Sequence, residues 1–179
     1  MLGAVWEVSV TKMSLVLNDI EFCLFFSGWL ALVVGEQLKE KLHGMLLYAP
    51  AINYVYPYFK RHLAKLPQNL QQKILDGDQH FMSMQSMGNA LMKRDFAEDS
   101  RKFEVNLNEA VDITSPVRIL HGLKDTEVPF QQSIQLCQAI KSEDVDVIFR
   151  KNGPHQLEQP IDIEIFLNTL DRMLKDHPI

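Results

Sequence analysis

Cysteine is scarce in this chain: there are two in 179 residues, Cys23 and Cys137, with no motif spacing between them. That pattern excludes a disulfide framework and a cysteine-based zinc module, and leaves both thiols expected as free and buried in a reducing compartment. Long apolar runs are also missing. The longest, Phe22 to Val34 (FCLFFSGWLALVV), has 13 residues, whereas a membrane-spanning helix needs about 20, so no transmembrane segment is expected. A signal-peptide core is disfavoured as well, because Glu7, Asp19 and Glu21 outnumber Lys12 ahead of the run and a signal peptide begins basic. The N-terminus is not the Arg-rich, acid-poor helix of a transit peptide. Positive charge is in short supply: Lys and Arg number 18 against 23 Asp and Glu, for a formal net charge of −5. With no basic cluster, neither nucleic acid nor an anionic membrane is expected as a partner. Repeats, low-complexity tracts and cofactor or metal motifs are absent. These absences leave an intracellular, soluble chain that folds as one domain over residues 1–179 without a cofactor.

What is present is alternation of short apolar strands with helical patterns. Residues 1–19 have no clear period and suggest a weak strand or an irregular arm. Ile20 to Phe26 is a β-favouring run that ends at Ser27-Gly28, a turn signal. Trp29 to Lys41 turns helical, with Lys39 and Lys41 near its end, where cations suit the helix dipole. Leu42 to Tyr48 then forms a buried strand closed by Ala49-Pro50. Strand, turn, helix and strand make a βαβ unit, which implies a parallel sheet.

Residues 51–110 differ: they hold Tyr54, Tyr56, Tyr58, Phe59 and most of the methionines, in several short helical patterns. One helix is expected from Pro67 to Leu75 with Gly77 past its end, and another from Asn89 to Ser100. Such a Met- and aromatic-rich helical insert is either a cap over a site or a satellite apolar core. The final third returns to α/β alternation. Strand Val117–His121 precedes a helix over Phe130 to Ile140 with Phe130, Ile134, Cys137 and Ile140 on one face. Strand Val145–Phe149 follows, and Pro160 opens a last helix whose Ile163, Phe166, Leu167, Leu170 and Leu174 form an apolar stripe.

Two residues in this last third carry chemistry. In Val117-Arg118-Ile119-Leu120-His121-Gly122-Leu123-Lys124-Asp125 an apolar run stops at a glycine and an aspartate follows on the loop. His155 stands 30 residues later, in Lys151-Asn152-Gly153-Pro154-His155, again just past a strand. Each alone has an ordinary explanation, Asp125 as a helix cap or turn former and His155 as a loop residue. Together they lie outside the carboxyl ends of adjacent parallel strands, where ligands bind in open α/β sheets. A carboxylate placed there can hold an imidazole in the tautomer that accepts a nucleophile's proton. Glu127 is the alternative acid and Glu158 a weaker one.

The HGLKDTEVPF and DVDVIFRKNGPH segments and the closing amphipathic helix resemble the C-terminal half of the α/β-hydrolase fold. They are most similar to its mitochondrial palmitoyl-protein thioesterase and acyl-glucuronide esterase branch. Gly28-Trp29-Leu30-Ala31-Leu32 and Leu42–Pro50 resemble the helix after that branch's nucleophile and the next strand, so the likeness spans roughly residues 28–175. It implies a partial α/β-hydrolase: a mostly parallel sheet flanked by helices, with residues 51–110 as a cap-like helical insert. It also implies hydrolysis of a small-molecule or acylated-protein ester or thioester through a Ser-Asp-His triad, with Asp125 as acid and His155 as base, and a mitochondrial address, against a cytoplasmic one from the N-terminus.

The departure is at the nucleophile. The branch's elbow reads roughly Gly-Ser-Ser-x-Gly-Gly-Trp; matched on Gly28-Trp29, its serine position falls on Phe25. Ser27 is the nucleophile candidate only if the turn shifts by two residues, and is otherwise a small turn residue; Cys23 would sit within a strand. Residues 1–27 form a divergent N-terminal segment, with no oxyanion-hole loop of the HGGG type before residue 20. An edge this sharp suggests an alternative first exon, an alternative start or a gene-model error. The second function class is therefore a truncated or variant non-catalytic protein of this fold, and a third is an unrelated doubly wound α/β protein.

Overall fold

The computed structural model describes the backbone of residues 15–17, 20–24, 26–77, 82–84 and 90–177, and the side chains of residues 28–39, 41–77 and 92–177. In chain order the elements are β1 (Leu15–Leu17), β2 (Ile20–Leu24), α1 (Phe26–Leu38), β3 (Gly44–Tyr48), α2 (Val55–Leu63), α3 (Gln68–Asp76), β4 (Met82–Met84), β5 (Ala90–Met92), α4 (Arg94–Ser100), β6 (Val117–Gly122), α5 (Gln131–Ala139), β7 (Val145–Arg150) and α6 (Pro160–Asp176). They fall into two compact units, Met1–Ile52 with Val105–Ile179, and Asn53–Glu104.

The larger unit is built on a five-stranded sheet in the order β1-β2-β3-β6-β7. β1 runs antiparallel to β2, and every other pairing is parallel. Strands buried on both faces read as unbroken apolar runs, and this explains the centre of the sheet: all five residues of β3 are buried, and all of β6 but Arg118. β7, at an edge, has no fully buried position: it is half-buried except at Asp146 and Phe149, which are exposed. The layout is the mostly parallel, helix-flanked α/β sheet of a partial α/β-hydrolase.

Two helix faces differ from their sequence patterns. On α5 the buried side chains are Ser133 and Leu136, followed by Ile140 just past the helix, whereas Ile134 is 38% exposed. Phe130 instead meets Phe149 of β7 edge-to-face, with ring centroids 5.7 Å apart. On α6 the residues packed on the core of Leu46, Tyr48, Leu120 and Leu157 are Ile165, Phe166, Leu170 and Leu174. Asp162 and Met173 are buried on the same helix, while Ile163 and Leu167 are 49% and 55% exposed. A buried polar group needs a partner, and both exceptions have one: Ser133 bonds His121, and Asp162 bonds Arg150. Each partner draws its residue inward and turns the helix away from the purely apolar stripe.

The smaller unit pairs β4 with β5 antiparallel, Met82 opposite Met92. α2 buries Val55, Tyr58, Phe59 and Leu63 at helical spacing, and the Arg101 guanidinium lies 4.7 Å from the Tyr56 ring centroid. α3 is preceded by Pro67 and ends at Gly77, whose φ of 83° is left-handed and suits a glycine. A single helix over Asn89 to Ser100 does not form. Ala90–Met92 is a strand and α4 starts at Arg94, because the register with β4 takes up the apolar residues that the helical pattern would have used. Likewise α1 begins at Phe26, earlier than its pattern, and gives way at Lys39–Lys41 to a 3-10 turn. Of the N-terminal arm, residues 1–19, β1 is described; residues 1–14, 18 and 19 lie outside the described residues.

Candidate active site

β6 and β7 pair from Val117 opposite Val145 to Gly122 opposite Arg150, so the loops that follow them emerge side by side. Two glycines then let those loops touch. A Cβ on Gly122 would lie 2.2 Å from the Gly153 carbonyl oxygen and 2.6 Å from that of Pro154, all backbone. Gly153 O, which stands where that side chain would be, accepts from Lys124 N at 3.0 Å, and Leu123 N donates to Arg150 O at 2.9 Å. This contact brings Asp125 of one loop to His155 of the other.

The Asp125 carboxylate is fully buried and accepts hydrogen bonds at both oxygens. Oδ1 takes the backbone N–H groups of Glu127 and Val128, each at 2.8 Å, an Asx-type turn that fixes the side chain on its own loop. Oδ2 takes His155 Nδ1–H at 2.7 Å and faces His121 Nε2 at 3.2 Å. Burial alone would raise this carboxyl's pKa. The hydrogen bonds from His121, His155 and the Val128 N–H, with the charge of His155, outweigh it and hold Asp125 below the usual carboxylate range. Asp125 is therefore anionic at neutral pH.

His155 is buried, with Nδ1 committed to Asp125 and Nε2 3.6 Å from Glu127 Oε2, a distance beyond hydrogen bonding. Glu127 thus meets Asp125 through its backbone, and Glu158 is exposed. The His155 loop is tied down beyond the histidine. The Tyr48 hydroxyl donates to the Leu157 carbonyl, and Leu157 holds a left-handed φ of 43° with its side chain in the core. Burial first, then the charge of Asp162, push the Tyr48 hydroxyl's pKa up and keep it a donor. Arg150 Nε reaches Asp162 Oδ1 at 2.6 Å, linking the end of β7 to the start of α6.

Ser27 lies in the first turn of α1. Because β2, β3, β6 and β7 are all parallel, the start of α1 opens on the same edge of the sheet as the two loops, with β3 between β2 and β6. β2 ends at Leu24 and α1 begins at Phe26; Phe25 lies outside the described residues, as do the side chains of Ser27 and Cys23.

Two further polar residues belong to the site and were not singled out from sequence. His121, on β6, directs Nε2 at both Asp125 Oδ2 and the Val128 carbonyl (3.1 Å), and Nδ1 at Ser133 Oγ (2.6 Å). Both residues are fully buried. The signal for each was a polar residue inside an apolar pattern: His121 closing VRIL, and Ser133 on the inward face of α5. An imidazole with Nδ1–H held by an anionic carboxylate keeps Nε2 as its basic nitrogen, able to take a proton from a hydroxyl and return it to a leaving group. His121 has both nitrogens engaged in the interior, so His155 is the histidine of the pair suited to that work.

The chain is 30% identical over 149 residues to the rat protein named palmitoyl-protein thioesterase ABHD10, mitochondrial, a match that covers 82% of this chain and 48% of that protein. It superposes on the solved structure of mouse alpha/beta hydrolase domain-containing protein 10 with a TM-score of 0.71 at 28% identity, covering 88% of this chain and 62% of the mouse one. A crystal structure from Agrobacterium vitis S4 superposes with a TM-score of 0.72 at 25% identity, covering 86% of this chain and 60% of that one. The chain spans about half the length of the curated relatives it matches. No family model matches it. Among the described residues, no helix is long and apolar enough to cross a membrane.

Proposed function

Because the chain has a partial α/β-hydrolase fold and resembles the palmitoyl-protein thioesterase branch, we propose that it cleaves acyl esters or thioesters, with Asp125 and His155 as acid–base pair and Ser27 as nucleophile. The observation that carries the reading is the 2.7 Å bond from His155 Nδ1 to a buried, anionic Asp125 at the carboxyl edge of the sheet. In the proposed reaction His155 Nε2 takes the Ser27 hydroxyl proton while Oγ attacks the acyl carbon. The tetrahedral oxyanion is met by backbone N–H groups at the start of α1, which lack intrahelical partners. Collapse expels the alcohol or thiol, which leaves with the proton from His155. Water then gives a proton to His155 as its oxygen attacks the acyl carbon; collapse breaks the Oγ–C bond, releases the acid and returns the proton from His155 to Ser27 Oγ. Asp125 stays anionic throughout and stabilises the imidazolium.

The test is turnover of a short-chain acyl thioester and of the matching ester by the purified chain. Hydrolysis abolished in Ser27→Ala and His155→Gln supports the reading; turnover that survives Ser27→Ala refutes Ser27 as nucleophile. The mitochondrial name of the rat relative extends to this chain as part of the same proposal, tested by fractionation of cells expressing it.

A second reading is favoured by the element boundaries. An elbow nucleophile sits on the turn between strand and helix, and here Ser27 is already helical while the residue between β2 and α1 is Phe25. On this reading the chain holds an acyl group without cleaving it. Thioester binding without turnover would select it.

A further inference from the structure

Two imidazoles share one carboxylate oxygen in this fold. We propose that His121, locked by Ser133, is a positioning residue: it shares its one Nε2–H between the Val128 carbonyl and Asp125 Oδ2 and so helps to hold the plane in which Asp125 meets His155. The inference rests on the acid–base assignment above and adds to it the means by which the acid is held.

The tautomer follows from the partners. His121 Nε2 faces two acceptors, Asp125 Oδ2 at 3.2 Å and Val128 O at 3.1 Å; without a proton it would set a lone pair against two oxygens in the interior, where an unmet polar group is costly. Nε2 therefore carries hydrogen. In the neutral ring Nδ1 is then an acceptor, and the Ser133 hydroxyl, 2.6 Å away and fully buried, is the donor that meets it. Ser133 thus selects the form of His121 that can donate to Asp125.

The consequence for Asp125 is geometric. The two backbone bonds at Oδ1 set the rotation of the planar carboxylate to within the play of those bonds. Oδ2 is fixed from two sides, by His155 toward the sheet edge and by His121 from within β6. The β6 backbone supplies His121 and the loop supplies Asp125, four residues apart, so the strand itself sets the aim of the acid. Removing the inner donor leaves the carboxylate held by its Oδ1 bonds alone and widens the play at Oδ2, so the Nδ1–Oδ2 bond to His155 loosens.

The experiment joins nuclear magnetic resonance with kinetics on the full chain at neutral pH. Nitrogen-15 ring shifts should show His121 protonated at Nε2 and bare at Nδ1, and His155 Nδ1–H should resonate far downfield. In His121→Phe that downfield proton should shift or vanish. In His121→Gln, whose amide nitrogen can donate from the Nε2 position, it should return. Where the chain turns over thioester, kcat should fall about tenfold or more in His121→Phe, the loss of one hydrogen bond to a charged group, with KM unchanged and partial recovery in His121→Gln. Should His121→Phe fail to fold, Ser133→Ala takes its place, and loss of the Nε2–H tautomer preference there supports the proposal. A wild-type His121 found protonated at Nδ1 alone, or a His155 signal unmoved in a folded His121→Phe or Ser133→Ala, overturns it. The magnetic resonance readings need no turnover, so a chain that hydrolyses nothing defeats the proposed function and leaves this inference to be judged on its own spectra.

Discussion

Replacing Gly122 with alanine probes the contact that assembles the site. Gly122 does not have a left-handed φ, since Gly77 is the positive-φ glycine among the described residues, so alanine adds no backbone strain and the effect is purely one of space. The new methyl would stand 2.2 Å from Gly153 O and 2.6 Å from both Gly153 C and Pro154 O. None of these is the end of a flexible side chain, so the strain cannot be relieved by a rotamer change. Reaching the 3.4 Å of ordinary contact from 2.2 Å requires about 1.2 Å of loop displacement. Directed along the Asp125–His155 axis, that would stretch the 2.7 Å bond to about 3.9 Å, past hydrogen-bonding range. Overpacking of this kind costs about 1–3 kcal/mol. For a chain of this length each kcal/mol lowers the melting temperature by about 2–4 °C. The assay is thermal unfolding followed by circular dichroism, alongside the His155 Nδ1–H resonance. A fall in melting temperature with loss of the downfield signal is expected. A variant that melts with the wild type and keeps the signal would refute the claim that this glycine contact sets the site.

The remaining predictions concern the acid, the loop anchor and a control. The folded pKa of Asp125 lies below its unfolded value of about 3.9, so its contribution to stability is complete above that value and is lost as pH falls through the folded one; urea midpoints should hold steady from pH 7 to 5 and drop below pH 4. Asp125→Asn should be less stable than wild type by about 2 kcal/mol at pH 7 and show a shallower acid decline, and an unchanged slope would remove Asp125 as a source of acid lability. Tyr48→Phe leaves the buried Leu157 carbonyl without its donor, so a loss of about 1–3 kcal/mol is expected, with a shifted His155 resonance; an unshifted one would show that the anchor does not govern the histidine. Gly77→Ala meets open space but a left-handed φ of 83°, so chemical denaturation should show a loss of about 1 kcal/mol while His155 stays as in wild type.

The strands were the legible part of the fold. β3 and β6 are buried on both faces and β7 is bounded by Asp144 and Lys151, so apolar runs and turn residues mark them within a residue or two. The helices were less so, because an apolar stripe is not the only thing that can face a core. Ser133 and Asp162 point inward through His121 and Arg150, long-range partners that no local period reveals. Ala90–Met92 pairs with Met82–Met84, a tertiary contact that overrides the helical spacing from Asn89. Within the site, Asp125 and His155 were visible because each follows its strand past a glycine. His121 was hidden because a histidine closing a strand looks like part of the strand.

Covalent labelling tests Ser27 as the nucleophile most directly. The purified chain is incubated with a fluorophosphonate, which marks serines activated by a neighbouring histidine, and the adduct is mapped by mass spectrometry. Label on Ser27 that disappears in Ser27→Ala and in His155→Gln is expected. A chain folded by circular dichroism that takes up no label, or takes it up on a serine other than Ser27, would contradict it.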